Sequence, residues 1–501
     1  MIRPFLNSLF LITILTLSFF FGCSQKKITP QDTLVVAIAS EPSNLNPLFA
    51  LDASSQQIDQ LMYDGLIMID QNLKIVPHLA ESWENPKDTI YRFKLNKDAK
   101  FHDGTPVTAL HFAHTLQQIL DPSVGSPLIA SFSNISEVKV IDPYILEIHL
   151  KKPQANFLTD FTLIKAMPLE PEKTKDHFVS SGPYQFVKKD LNQIILKRNP
   201  SHFKINPKME NIVFKIIKDE NTRLLKLKKG EIDLIQNGLN GDSLAKLQND
   251  PKLSITKSPG LTYTYLGFNL KDPILKNKRV RKAIAYAIHR EEIIEYFLHN
   301  LASPAKTLLS PLNWYYEENL PTYAFDLEKA RKLLKEANVP LPIHLEYKTS
   351  TDVEAVNIAK LISDHLKQVG IEVEIRTYEW GTFFEDIKKG NFQLFSLRWV
   401  GITEPDIYYD CFHSSAFPPG KNRVYYSNPS LDKLLEEGRL TTDPNQRKKI
   451  YSKVQKTIAE DLPYVSLWHL NNIAAYSSRL IGFYFHPQGN FLPLLEISKR
   501  E

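Results

Sequence analysis

An α/β fold with a parallel sheet in its second half is what this sequence predicts, from three features of residues 343–410. Ile343, Leu345 and Tyr347 alternate with polar residues as a half-buried strand does, and Ile371, Val373 and Ile375 repeat the pattern. Between them Ala355, Ile358, Ile362, Leu366 and Val369 recur at helical spacing, with Asp352 placed to cap the start and Gly370 just past the end. A shorter helix from about Trp380 to Lys389, stopped by Gly390, leads into Phe392, Leu394, Phe395 and Leu397, dense enough for a strand buried on both faces. Right-handed crossovers make the strands of such a β-α-β-α-β unit parallel. Open parallel sheets meet ligands beyond the carboxyl ends of their strands. That rule points to Arg398, Trp399 and the loop carrying Gly401, Glu404, Pro405 and Asp406 as a binding site, with nothing that resembles catalytic machinery.

Taken in order, residues 34–38 read as a buried strand, ended by the two prolines of segment 40–47. Residues 57–63 are helical in pattern, and Asp64-Gly65 turns the chain into a short strand at 66–69. Strict alternation over 91–95 gives a half-buried strand; after the Asp103-Gly104 turn, Thr108 is placed to cap a helix over 109–120. His111 and His114 stand three apart on that helix, but no second ligand cluster lies within sequence reach, so they read as a polar face. Strands follow at 138–150 around Asp142-Pro143, at 185–189, 194–197 and 212–217; a helix over 221–229 is closed by Gly230 before a strand at 231–235. The aromatic strand 261–270 carries Tyr263, Tyr265 and Phe268. Val280, Ile284, Ala287, Ile288 and Ile294 space one helix over 278–298, and Asp326 caps another over 327–337. Beyond the parallel unit come amphipathic helices at 431–438 and 446–460, then strands at 462–470 and 473–476.

With 501 residues, 43% hydrophobic and 23% charged, the chain has an ordinary globular composition and room for two or three domains. Its formal charge of +5 comes from evenly mixed acids and bases and makes no case for nucleic acid. The first 23 residues differ in kind: Arg3, an apolar run over 5–21 without an acid, then Gly22-Cys23. A cleaved secretory signal, an uncleaved anchor and a lipoprotein signal share that design. Gly22 and the polar Ser24-Gln25-Lys26-Lys27 fit the lipoprotein form, with a signal over 1–22, lipid on Cys23 and a spacer over 23–33; Phe20 stands where such signals usually carry Leu. Two or more acyl chains hold a protein at a membrane surface, where one does not. Either way the bulk of the chain is exported. Cys411 then has no disulfide partner and reads as a buried, inert thiol rather than a nucleophile or a metal pair with His413. G-x-S-x-G, H-E-x-x-H and P-loop patterns are absent, so no catalytic residue, metal or cofactor is expected.

The segment YRFKLNKDAKFHDGTPVTALHFAHTL, beginning at Tyr91, resembles the signature of the oligopeptide/dipeptide/nickel-binding proteins of ABC importers. SEPSNLNP after the first strand, SGPY, KGEIDLI, GFNLKDPILKNKRVRKAIAYAIHR, AFDLEKARKLLKEAN and HLKQVGIEVEI follow in the family's order. The resemblance spans nearly the whole mature chain and is nearest to the oligopeptide receptors. It implies an extracytoplasmic, two-lobe periplasmic-binding-protein fold of the class II type with an additional small α+β domain. The first lobe would be 34–268, with the small domain near 70–180; the second would be 269–475, and 476–501 would return to the first. A hinge would let the lobes close on an oligopeptide, and ABC permease transmembrane subunits would be the partner of a monomer held to the membrane by its lipid. An extended peptide offers main-chain groups that a protein strand pairs with whatever the side chains are. The resemblance puts Glu41 and Ser43 on one wall, Trp380, Trp399 and the loop through Glu404 on the other, and Tyr263 and Tyr265 near the crossing. One departure stands out. Where peptide-binding relatives carry an Asp for the peptide's α-ammonium group, this chain reads Val400-Gly401-Ile402-Thr403, leaving Glu404 and Asp406 as substitutes. Arg398 beside that place favours a carboxylate unless Glu41 neutralises it across the cleft. A nickel chelate, a glutathione-like molecule or a cell-wall-derived peptide is the alternative ligand.

Overall fold

The computed structural model describes residues 29–50, 52–170 and 178–500; Cys23 and the expected signal lie outside the described residues. Two long strands, Leu253–Phe268 and Tyr464–Ser477, run antiparallel through the middle of an eleven-stranded mixed sheet. On one flank lie Leu394–Trp399, Ile343–Ser350 and Ile371–Tyr378; on the other lie Leu234–Gln236, Thr33–Ile38, Asn211–Ile216, Gln193–Arg198 and Tyr184–Asp190. Ile343–Ser350 pairs in parallel with both of its neighbours in the first group, as the alternation and crossovers demand.

The ends of the long pair belong to different cores. Leu266, Phe268, Val465 and Leu467 sit with Ile284, Ile358 and Ile362, whereas Ile473 and Ala475 sit with Val35, Leu227 and Ile235. The sheet is therefore shared by two lobes, and the long pair is the bridge between them. Its register shifts between Pro259 and Thr262, where a Cβ on Gly260 would stand 2.5 Å from the Leu470 carbonyl oxygen. Gly260→Val should lower stability by about 1–3 kcal/mol, read as a lower urea midpoint at unchanged slope, because the obstructing atom is backbone and has nowhere to go.

A four-stranded antiparallel sheet, Ala80–Lys87, Ile90–Leu95, Ile145–Leu150 and Ile135–Asp142, forms a smaller unit backed by the helix Ala109–Leu120. Phe93, Leu95, Phe112, Leu116, Leu146 and Ile148 fill its core. Thr108 starts the helix as expected, and its N–H donates to His111 Nδ1 at 3.0 Å. The C-terminal segment packs in the first lobe through Phe491, Leu494 and Ile497, and Lys499 pairs with the buried Asp233 at 2.9 Å.

Several boundaries differ from expectation, among them the helix Ala53–Met62, which starts before residue 57. The helix over 278–298 breaks after Ala287, because Ile288 is extended and His289 starts a new turn, its Nδ1 accepting from the Glu292 N–H at 3.1 Å. The break sends the Arg290 guanidinium to the carbonyls of Tyr323 and Ser466. The strands at 462–470 and 473–476 are one strand, the 261–270 strand starts at Leu253, and the 231–235 strand shrinks to Leu234–Gln236.

Candidate ligand-binding cleft

The residues expected on the second-lobe wall begin where Leu394–Trp399 ends. Arg398 points to Glu354 on the helix Val353–Lys367 and forms an ion pair with it. Glu41 is engaged on its own lobe, 2.8 Å from Lys189 Nζ, and that contact lowers its carboxyl pKa. The charge on Arg398 is thus answered by Glu354 rather than by Glu41.

Trp399 pairs across the sheet with Tyr263, and its indole Nε1 is buried without a partner. Trp380 opens the helix Trp380–Lys389, is 56% exposed, and stacks on Phe384 with centroids 5.4 Å apart. Between these aromatics lies Arg423, its guanidinium 5.0 Å from the Phe384 ring and 5.1 Å from the Trp399 ring. Among the described residues Arg423 makes no ion pair; cation–π contacts hold its charge, and its guanidinium also interacts with the buried Tyr265 hydroxyl. Sequence reasoning missed it. A single Arg in the loop after Pro418-Pro419-Gly420 carries no periodic or motif signal.

Gly401 turns the loop with φ +67°, and the Ile402 N–H donates to the Leu261 carbonyl at 3.2 Å. The acids beyond it both have arginine partners. Glu404 lies 2.9 Å from the buried Arg447, and Asp406 takes Nε and a terminal nitrogen of Arg439 at 3.0 Å each. Neither is an unpaired carboxylate awaiting a ligand amine.

Ser43 donates through its hydroxyl to Asp52, the cap of the helix Ala53–Met62. Glu41 and the turn from Asp190 to Gln193 border an open depression on this lobe. Tyr265 stands elsewhere: it is fully buried under the sheet, stacked on Tyr464 at 4.0 Å, inside the second-lobe core rather than on a wall. Cys411 belongs to the same core, and burial pushes its thiol pKa far up, which leaves it without nucleophilic character.

The small domain reaches the second lobe directly. Thr159 Oγ1 donates to Glu404 at 2.8 Å, the Ala155 N–H to the Arg439 carbonyl at 2.9 Å, and Thr442 Oγ1 to Asp88 at 3.0 Å. Asp160 sits beside this contact; burial, with Glu404 and Asp406 nearby, raises its carboxyl pKa to about 7.

Two cores on one sheet, joined by a pair of long strands, give the two-lobe architecture of a solute receptor. The chain belongs to the bacterial extracellular solute-binding proteins, family 5, whose middle region matches residues 74–417. It is 29% identical over 488 residues to the oligopeptide-binding protein AppA of Bacillus subtilis, covering 91% of this chain and 89% of that one. The solved structure of AppA with a nonapeptide superposes with TM-score 0.77 at 27% identity, covering 94% of this chain and all of that one. Heme-binding protein A of Haemophilus influenzae is 28% identical over 93% of this chain and 92% of its own. NikZ of Campylobacter jejuni, solved with Ni(L-His), gives TM-score 0.79 at 26% identity over 94% of this chain and 100% of its own. The fold is accordingly the class II periplasmic-binding-protein type expected from the resemblance, and the protein is extracytoplasmic.

Proposed function

We propose that this protein captures oligopeptides between its lobes and delivers them to the membrane subunits of an ABC importer, as a receptor that makes and breaks no bonds. Residues 34–268 with 476–501 form one jaw and 269–475 the other. Lipid on Cys23 keeps the receptor at the membrane; no helix among the described residues is long and apolar enough to cross one. Cys23→Ser should move the protein from the membrane fraction to the soluble one and remove the acyl mass. The observation that carries the ligand reading is Arg423, an unpaired cation on aromatic faces beside Trp380 and Trp399, suited to a ligand's carboxylate.

Glu404 and Asp406 are already neutralised by Arg447 and Arg439, so an α-ammonium group finds no waiting acid there. Peptides acetylated at the amino end should therefore bind within about threefold of free ones, whereas amidation at the carboxyl end should weaken binding by about tenfold or more. Titration calorimetry against such matched pairs tests this. Should no member of a broad peptide library raise the melting temperature at millimolar concentration, and the purified protein prove empty by native mass spectrometry, the peptide reading falls. The second reading keeps the receptor and changes the guest to a nickel chelate, a glutathione-like molecule or a cell-wall-derived peptide. The lone Arg423 and the lack of a free acid favour such carboxylate-rich solutes, and the mass of the retained ligand separates the two.

A further inference from the structure

Away from the cleft, a cavity of about 280 Å³ lies where the helix Ala53–Met62, small-domain residues 162–165 and C-terminal residues 484–496 meet. None of its lining residues comes from the second lobe. Met68, Leu163 and Leu492 supply apolar walls, while Asp59, Gln60 and Lys165 gather polar groups. Asp59 is only 3% exposed, yet neither of its carboxylate oxygens has a hydrogen-bond partner, and Gln60 Oε1 has none either. Orphaned buried acceptors are costly, so their concentration on one cavity wall points to an absent donor.

The charges say what kind of donor. Asp59 and Asp64 are both buried; Lys165 is the one lysine or arginine on the cavity lining, which also carries His78 and the exposed Glu496. Asp64 Oδ1 accepts from Nε2 of His78 at 2.8 Å and of His202 at 3.2 Å. His202 Nδ1 accepts the backbone N–H groups of Lys204 and Ile205, so its proton is on Nε2 and the ring is neutral. That assignment also disposes of a metal at Asp64, His78 and His202, whose ligand atoms lie within 4.8 Å of one another, because the His202 Nε2 lone pair is not available. The two buried acids, Asp59 and Asp64, stand against one lysine, which leaves room for one positive charge. Burial meanwhile raises the Asp59 carboxyl pKa well above its usual range, with Lys165 opposing, which favours the protonated acid in the empty cavity.

We propose that this cavity is a second ligand site, for a small primary amine whose ammonium group donates to Asp59 and Gln60 and whose apolar body lies along Met68, Leu163 and Leu492. A site between the first lobe and the small domain is independent of whatever the cleft carries. Binding the ammonium displaces the Asp59 proton to solvent, which conserves the charge of the cavity.

Phenethylamine and its neutral counterpart 2-phenylethanol are suitable probes in titration calorimetry. The amine should bind at least about tenfold more tightly than the alcohol, and its binding heat should change with the ionisation enthalpy of the buffer. Asp59→Asn should abolish the preference while leaving the protein folded. Should that variant fail to fold, Leu163→Trp fills the cavity without touching the acid and should abolish binding of both probes. Trp380→Ala, in the cleft, should leave amine binding unchanged. Equal affinity for the two probes, no binding of either, or loss of amine binding in Trp380→Ala overturns the proposal.

Discussion

Arg423→Ala is expected to weaken binding of ligands with a free carboxylate by about 10- to 100-fold, the range spanned by a charge-assisted hydrogen bond in a shielded site. The guanidinium lies between Phe384 and Trp399 and beside the Tyr265 hydroxyl without an acid, so no ion pair must be broken before a guest's carboxylate uses its charge. Arg398 differs: Glu354 already pairs with it, and Arg398→Ala should change affinity by less than about threefold. Arg423→Lys should recover only part of the loss, because a lysine keeps the charge without the planar face that rests on two rings. Amidated ligands should be indifferent to all three substitutions. Titration of the three variants with acid and amide forms of one peptide checks the set, and equal losses for both forms would mean that Arg423 only props up Trp399.

How far the sequence reveals this site follows from the range of the interactions involved. The parallel unit is legible because periodicity, the cap Asp352 and the stops at Gly370 and Gly390 are local, and the helices Val353–Lys367 and Trp380–Lys389 stand where those signals put them. The start of Leu253–Phe268 is not legible, because Lys257 and Pro259-Gly260 break alternation there. Its strand character comes from partners far along the chain, such as Ala474 opposite Thr256. Glu404 and Asp406 were visible as acids, but not that Arg447 and Arg439, on later helices, would neutralise them. Tyr265 looks like a cleft aromatic in a strand of aromatics, and only the stacking of Tyr464 beneath the sheet shows it to be core. Arg423 leaves no pattern at all. Its role rests on three segments meeting: the helix that carries Phe384, the strand end at Trp399 and a loop.

The contact between the small domain and the second lobe should depend on pH through Asp160. Its carboxyl pKa is raised to about 7 by burial and by Glu404 and Asp406, with Arg439 opposing; Arg447 faces the same acids from the helix Pro444–Asp461. An acid whose pKa is raised in the docked form binds more protons there than when released. The docked form is therefore favoured below the released value near 4, loses that advantage as pH rises towards 7, and stays weakened above it. The effect is bounded at about 4 kcal/mol, and solvent on the open side of Asp160 reduces it. Asp160→Asn removes the proton exchange while keeping the shape. Its stability or ligand affinity, subtracted from that of the unaltered protein, should trace a curve falling between pH 4 and 7 and flat beyond. Buried histidines bend the raw curves the other way; His469, with its pKa lowered to about 4 by burial, destabilises the fold as acid is added. They contribute equally to both proteins and cancel in the difference. A flat difference would show that Asp160 does not sense the approach of Glu404. A falling one would make the Thr159–Glu404 contact a latch that is strongest in acid.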